Sequence, residues 1–96
     1  MVIYNMLVQM VKKGVRKLNK INTAKLRGKR AEAFYSMETI AEKLGIARKS
    51  YENKEKGITE FTRSEIYVLI VEFKLSVKEV YEIFFAPELT EMLKAS

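Results

Sequence analysis

Apolar residues recur along this chain at three-to-four residue spacing, and no stretch reads as a strand. That pattern predicts an all-α fold, and local signals place the helix starts. Asn22 is a good N-cap, with Ile21 and Leu26 as a hydrophobic staple around it, and the helix it opens is expected to reach about Phe34. Ser36 caps the next helix, stapled by Tyr35 and Ile40. Thr62 to Glu65 and Ser76 to Glu79 are two capping boxes, stapled by Phe61 with Ile66 and by Leu75 with Val80. Each such cap contributes about 1 kcal/mol. The run from Ile66 to Val71 is β-branched and apolar, but the box before it favours helix. Ile66, Leu69, Ile70 and Phe73 form one apolar face, which Val77, Val80, Tyr81, Ile83 and Phe84 continue after a turn. Pro87 stands where a first helical turn tolerates it, so residues 87 to 94 are expected to form a last short helix, with Leu89, Met92 and Leu93 inward or in a dimer contact. No internal repeat, low-complexity segment or linker is visible.

The stretch SMETIAEKLGIARKSYENKEKG, residues 36 to 57, organises the rest. Ile40, Ala41 and Leu44 share a helical face, and Gly45 ends that helix because a left-handed cap is cheap only without a Cβ. Ile46 plugs the angle, and a second, polar helix runs from residue 47 to about residue 54. Two helices joined by a short glycine-containing turn make a helix-turn-helix. Arg48, Lys49, Glu52 and Asn53 on the second helix can hydrogen-bond base edges or phosphates. Arg48 suits bidentate guanine readout, Asn53 suits adenine, and Lys49 suits phosphate. Ser50 and Lys56 flank this group, and Arg27 is among the basic residues of the first helix expected to hold phosphates.

Composition narrows the rest. The chain has 96 residues and 48% hydrophobic residues, enough for one modest core and no separate sensing or catalytic domain. Cysteine, histidine and aspartate are all absent, which removes disulfides, thiolate metal sites and histidine acid–base chemistry. No enzyme activity, cofactor, metal or small-molecule ligand is expected, and the lack of cysteine suits a cytoplasmic, nucleoid-associated location. The net charge of +6 is uneven: the first 31 residues hold nine Lys or Arg and no acid, and the remainder holds nine basic residues against twelve Glu. A basic first third implies an anionic partner.

Residues 1 to 20 read as a basic amphipathic extension, separate from a domain over residues 21 to 96. Ile3, Met6, Leu7, Met10, Val11, Val15 and Leu18 fall at helical spacing. The stretch is too short and interrupted for a membrane span, and its charge follows the apolar run instead of preceding it as in a signal peptide. A second reading stays open beside an extra native helix. Lys12-Lys13-Gly14 is encodable by a purine-rich ribosome-binding site and Leu18 by TTG, which would make the first 17 residues a gene-calling extension.

From Ile21 to Ala86 the chain resembles the short phage-repressor-like helix-turn-helix proteins of the Cro/CI (Xre) family. INTAKLRGKRAE, ETIAEKLGIARKSY, EFTRSEI and LSVKEVYEIFF carry the likeness, over about two-thirds of the chain. The resemblance implies a five-helix DNA-binding domain whose recognition helix begins at Ala47 to Asn53, with Arg48, Lys49, Glu52 and Asn53 at base- or phosphate-facing positions. Met37 stands where the family usually has a glutamine that bonds a phosphate, and Ala47 where it has a capping serine. Lys54 and Glu55 replace an apolar residue, leaving Tyr51 and Ile58 to anchor the recognition helix. Glu52 and Glu55 put negative charge near expected phosphates. These departures predict a weakened or frayed recognition helix, or a diverged sequence preference.

The expected function is therefore a phage- or prophage-derived transcriptional regulator that binds double-stranded DNA as a homodimer, with no membrane partner. The rival is a protein-interaction module, antirepressor- or antitoxin-like, on the same helical fold.

Overall fold

The computed structural model describes residues 20 to 95. Both readings of the N-terminal stretch, as an extra helix and as a gene-calling extension, fall on residues outside that range. Six helices follow: α1 Thr23–Glu32, α2 Met37–Leu44, α3 Arg48–Glu55, α4 Arg63–Glu72, α5 Val77–Phe84 and α6 Ala86–Ala95, with no strand among the described residues. The all-α expectation holds. None of these helices is long and apolar enough to cross a membrane.

The starts are where the side chains put them. Asn22 accepts the Lys25 N–H and Ser36 the Thr39 N–H, each at 3.1 Å. Both boxes close: Thr62 accepts from the Glu65 N–H while Glu65 accepts from the Thr62 N–H, and Ser76 and Glu79 do the same. α3 lacks such a cap, since its N-cap Ala47 offers no side-chain acceptor.

The first helix stops at Glu32, short of Phe34, because Phe34 adopts a left-handed φ of 61°. Its N–H returns to the Ala31 carbonyl and that of Tyr35 to the Arg30 carbonyl, satisfying the helix's last acceptors. Lys74, with φ 52°, ends α4 in the same way. The two consecutive helix pairs α1–α2 and α4–α5 thus repeat one backbone plan at an offset of 40 residues, cap for cap and turn for turn. No glycine marks either turn, which is why the repeat escapes the sequence pattern.

Leu26, Ile40, Tyr51, Leu69 and Ile83 are fully buried, with Ala41, Phe73, Leu75 and Phe84 nearly so. Phe61 meets Tyr51 and Phe84 edge-on, with ring centroids 5.9 Å apart in both pairs. α1 packs on α3 and α5, α2 on α3 and α4, and α6 on α5. The Asn22 N–H, bonded to the Ile83 carbonyl at 2.8 Å, pins the start of α1 to α5. Val77 and Tyr81 depart from the expected core, being 88% and 48% exposed.

Candidate nucleic-acid interface

α2 and α3 meet at a three-residue corner. Gly45 sits at φ 72°, and the Ile46 N–H reaches back to the Ala41 carbonyl at 3.0 Å. A Cβ at Gly45 would touch nothing within 4 Å, so backbone conformation and not space demands glycine here. Nearly buried Ala41 and half-buried Ile46 fill the angle between the helices.

α3 divides cleanly into an inner and an outer face. Inward, Tyr51 and Glu55 are buried one turn apart. The Arg30 guanidinium on α1 donates to both oxygens of Glu55, Nε to Oε2 at 2.8 Å and Nη2 to Oε1 at 3.2 Å, and also to the Tyr35 carbonyl at 2.9 Å. The Tyr51 hydroxyl donates to the same Glu55 carboxylate at 2.8 Å. Hydrogen bonding to Glu55 raises the Arg30 pKa, and burial followed by the Glu55 charge raises that of Tyr51 far out of range. Lys54 turns sideways to Glu65 on α4, at 2.6 Å. Burial opposes the Glu65 charge, but the Lys54 ammonium and the Thr62 N–H outweigh it and hold this carboxyl below its ordinary value.

Outward, Arg48, Lys49, Ser50 and Lys56 are exposed, with Glu52 and Asn53 half-buried between them. Glu52 gathers the cations: Lys56 at 2.9 Å, Arg48 at 3.6 Å and Lys49 at 3.8 Å. The bond from Lys56, then the charge of Lys49, keeps its carboxyl below the ordinary range. The Asn53 side chain makes no hydrogen bond among the described residues, leaving its amide open to a partner.

Two expectations are corrected. Glu55 does not sit near the outer surface; it faces the core and ties α3 to α1. Ile58 does not anchor the helix, being 61% exposed; Tyr51 and the Arg30–Glu55 bridge do. Met37, at the start of α2, is half-buried against the edge of the core. The basic residues of α1 also separate. Lys25 pairs with Glu82 at 2.8 Å, Lys29 with Glu79 at 3.0 Å, and Arg30 with Glu55. These hold α1 to α5 and α3. Arg27 alone on this helix is exposed without an ion pair among the described residues.

Arg30 is the residue sequence reasoning missed. Its signal was present: an acid at position 55, one turn after Tyr51 on the inner side of α3, needs a buried cation, and α1 is rich in them. Comparison with protein-family models, with curated proteins and with solved structures gives no match to this chain.

Proposed function

We propose that the chain is a sequence-specific DNA-binding regulator, repressor-like and of phage or prophage type, in which α2 and α3 form a helix-turn-helix that sets α3 into the major groove. One observation carries this reading. α3 is held from behind by Arg30, Glu55 and Tyr51, while its solvent face gathers Arg48, Lys49, Ser50, Asn53 and Lys56, the side-chain types that contact bases and phosphates. Arg48 is assigned guanine readout, Asn53 adenine readout, and Lys49, Lys56 and Arg27 phosphate contact. A homodimer would present two such helices to half-sites one helical turn apart.

The test is selection from a randomised duplex library, then a gel-shift titration of the enriched duplex against a scrambled one. A dimer that neutralises roughly six phosphates should show log K falling against log salt with a slope of about −5. Arg48→Ala should cost about 1–3 kcal/mol on the enriched site and relax preference at one base pair. No enrichment, or a slope shallower than about −2, would sink the reading.

A protein-interaction role, antirepressor- or antitoxin-like, is favoured by two observations. Three α1 cations are consumed in internal ion pairs, and Phe34 is 95% exposed on a left-handed backbone. Co-purification of a stoichiometric protein partner, without duplex enrichment, would select it.

A further inference from the structure

A cleft opens between the loop that leaves α3 and the start of α6. Ile21, Phe61, Ile66, Phe84 and Phe85 wall it, and Glu60 from that loop and Glu88 from α6 stand in the same wall. Phe85 remains exposed there. No cation lines the cleft, and Glu88 feels burial and the Glu60 charge with no opposite charge among the described residues. Two like charges beside apolar rings are costly to hold, and cations seated on them would offset part of that cost.

The place where the chain reaches the domain points to the occupant. Lys20, the first described residue, meets Glu91 on α6 at 3.2 Å, and Ile21 already lies in the cleft wall. The segment before Lys20 therefore starts beside the cleft. Its nearest residues are Val15, Arg16, Lys17, Leu18 and Asn19, two cations between two apolar side chains. Arg16 is separated from Lys20 by at most about 14 Å of extended chain. Covalent attachment therefore holds these cations near the carboxylates at a high effective concentration. Lys94 sets the direction. Glu88, Glu91 and Lys94 follow one another every three residues along α6. A basic segment running on along α6 meets Lys94, whereas one folding back meets Glu88 and Glu60.

We propose that the N-terminal segment, read as native chain, docks on this cleft through residues 15 to 18, with Val15 and Leu18 against the phenylalanine rings and Arg16 and Lys17 on Glu60 and Glu88. Seated there, the segment ties the loop that leaves α3 to α6. The docking needs no DNA and its test uses none, so it and the DNA reading can fail separately.

Nuclear Overhauser spectra of the isotope-labelled full chain should connect the methyl groups of Val15 and Leu18 to the rings of Phe61, Phe84 and Phe85. Arg16→Glu with Lys17→Glu, which leaves the domain's own contacts untouched, should abolish these connections. Glu60→Lys with Glu88→Lys should abolish them too, with the helical circular dichroism unchanged, and the two reversals combined should restore them. A full chain without the connections overturns the proposal. So does their persistence through Arg16→Glu with Lys17→Glu, or a combined reversal that folds and restores nothing. Isotope-filtered spectra of labelled and unlabelled chain mixed together identify the source of the segment. Connections that cross between copies would assign the cleft to another molecule and overturn docking within one chain.

Discussion

Arg30 on α1 and Glu55 on α3 face each other through two near-parallel hydrogen bonds of 2.8 and 3.2 Å, with 13% and 3% of their side chains exposed. A buried pair of this kind holds direction better than it adds stability. Desolvating both ions costs several kcal/mol, and their attraction offsets this only when every bond is made. Here Tyr51 and the Tyr35 carbonyl complete the set. Glu55→Ala should therefore destabilise the fold by about 3 kcal/mol, because Arg30 is left buried without its anion. Arg30→Met with Glu55→Leu should return to within about 1 kcal/mol of the parent. Urea unfolding followed by circular dichroism measures both, and an equal loss in the double variant would mean that the pair itself stabilises the fold.

Ala47 occupies the N-cap of α3 with extended backbone, φ −69° and ψ 151°, but has no oxygen to offer. Ala47→Ser should add the missing bond and stabilise the fold by about 0.5–1 kcal/mol. The urea midpoint reports it; an unmoved midpoint would place the free N–H groups in contact with something else. α3 runs unbroken from Arg48 to Glu55 without that bond. A missing cap weakens a helix only as far as tertiary contacts allow, and Tyr51 with Glu55 supplies them.

Much of this fold was legible because its signals are local. Asn22, Ser36, Thr62 and Ser76 each set a helix start within three residues of themselves, and Gly45 sets a corner by its own φ. The outer face of α3 was legible for the same reason, as a polar helix after that corner. What stayed hidden depends on partners distant in sequence. Glu55 reads as a surface acid until Arg30, 25 residues earlier, is brought against it. Lys25 and Lys29 read as phosphate contacts until α5 places Glu82 and Glu79 beside them. Val77 and Tyr81 read as core because apolar periodicity does not say whether a neighbour covers the stripe.

Phe34 shows a different kind of silence, since a left-handed turn is normally read from glycine. An L-residue at φ 61° carries about 1–2 kcal/mol of strain, and a side chain 95% exposed recovers little of it by packing. Phe34→Gly should raise stability by about 0.5–1 kcal/mol after the entropy of the more flexible unfolded chain is subtracted. The same change at Lys74, φ 52°, should behave alike. A loss of stability at position 34 in thermal unfolding would show that the ring has a packing role.

Glu88 lies beside Glu60 in a cleft walled by Ile21, Phe61, Ile66, Phe84 and Phe85. Burial, then the Glu60 charge, pushes its carboxyl up to about 7. A carboxyl raised in the folded state holds its proton longer there than in the unfolded chain, so ionisation counts against folding. This penalty is absent below the ordinary value of 4.5, grows as pH rises, and is complete above about 7. Stability should fall across that interval, by on the order of 1 kcal/mol after discounting for solvent screening. Glu88→Gln should flatten this part of the profile and stabilise the protein at pH 8. A variant with the parent's pH dependence would remove Glu88 as its source.

Glu52 bears most directly on DNA binding. Its carboxylate sits among Lys56, Arg48 and Lys49 on the outer face of α3, so these cations are partly neutralised before any partner arrives. Two consequences can be separated. If Glu52 only screens the cations, Glu52→Gln should tighten binding to any duplex and steepen the salt slope by about 1, the value of one further phosphate contact. If Glu52 instead accepts a cytosine amino hydrogen, the same change should weaken the preferred site by about 1–3 kcal/mol while tightening scrambled DNA. The 2.9 Å contact to Lys56, an exposed side chain, favours screening. Gel-shift titrations of parent and variant on both duplexes, at two salt concentrations, decide between them. A variant that binds neither duplex more tightly would show that the outer face of α3 does not approach phosphate.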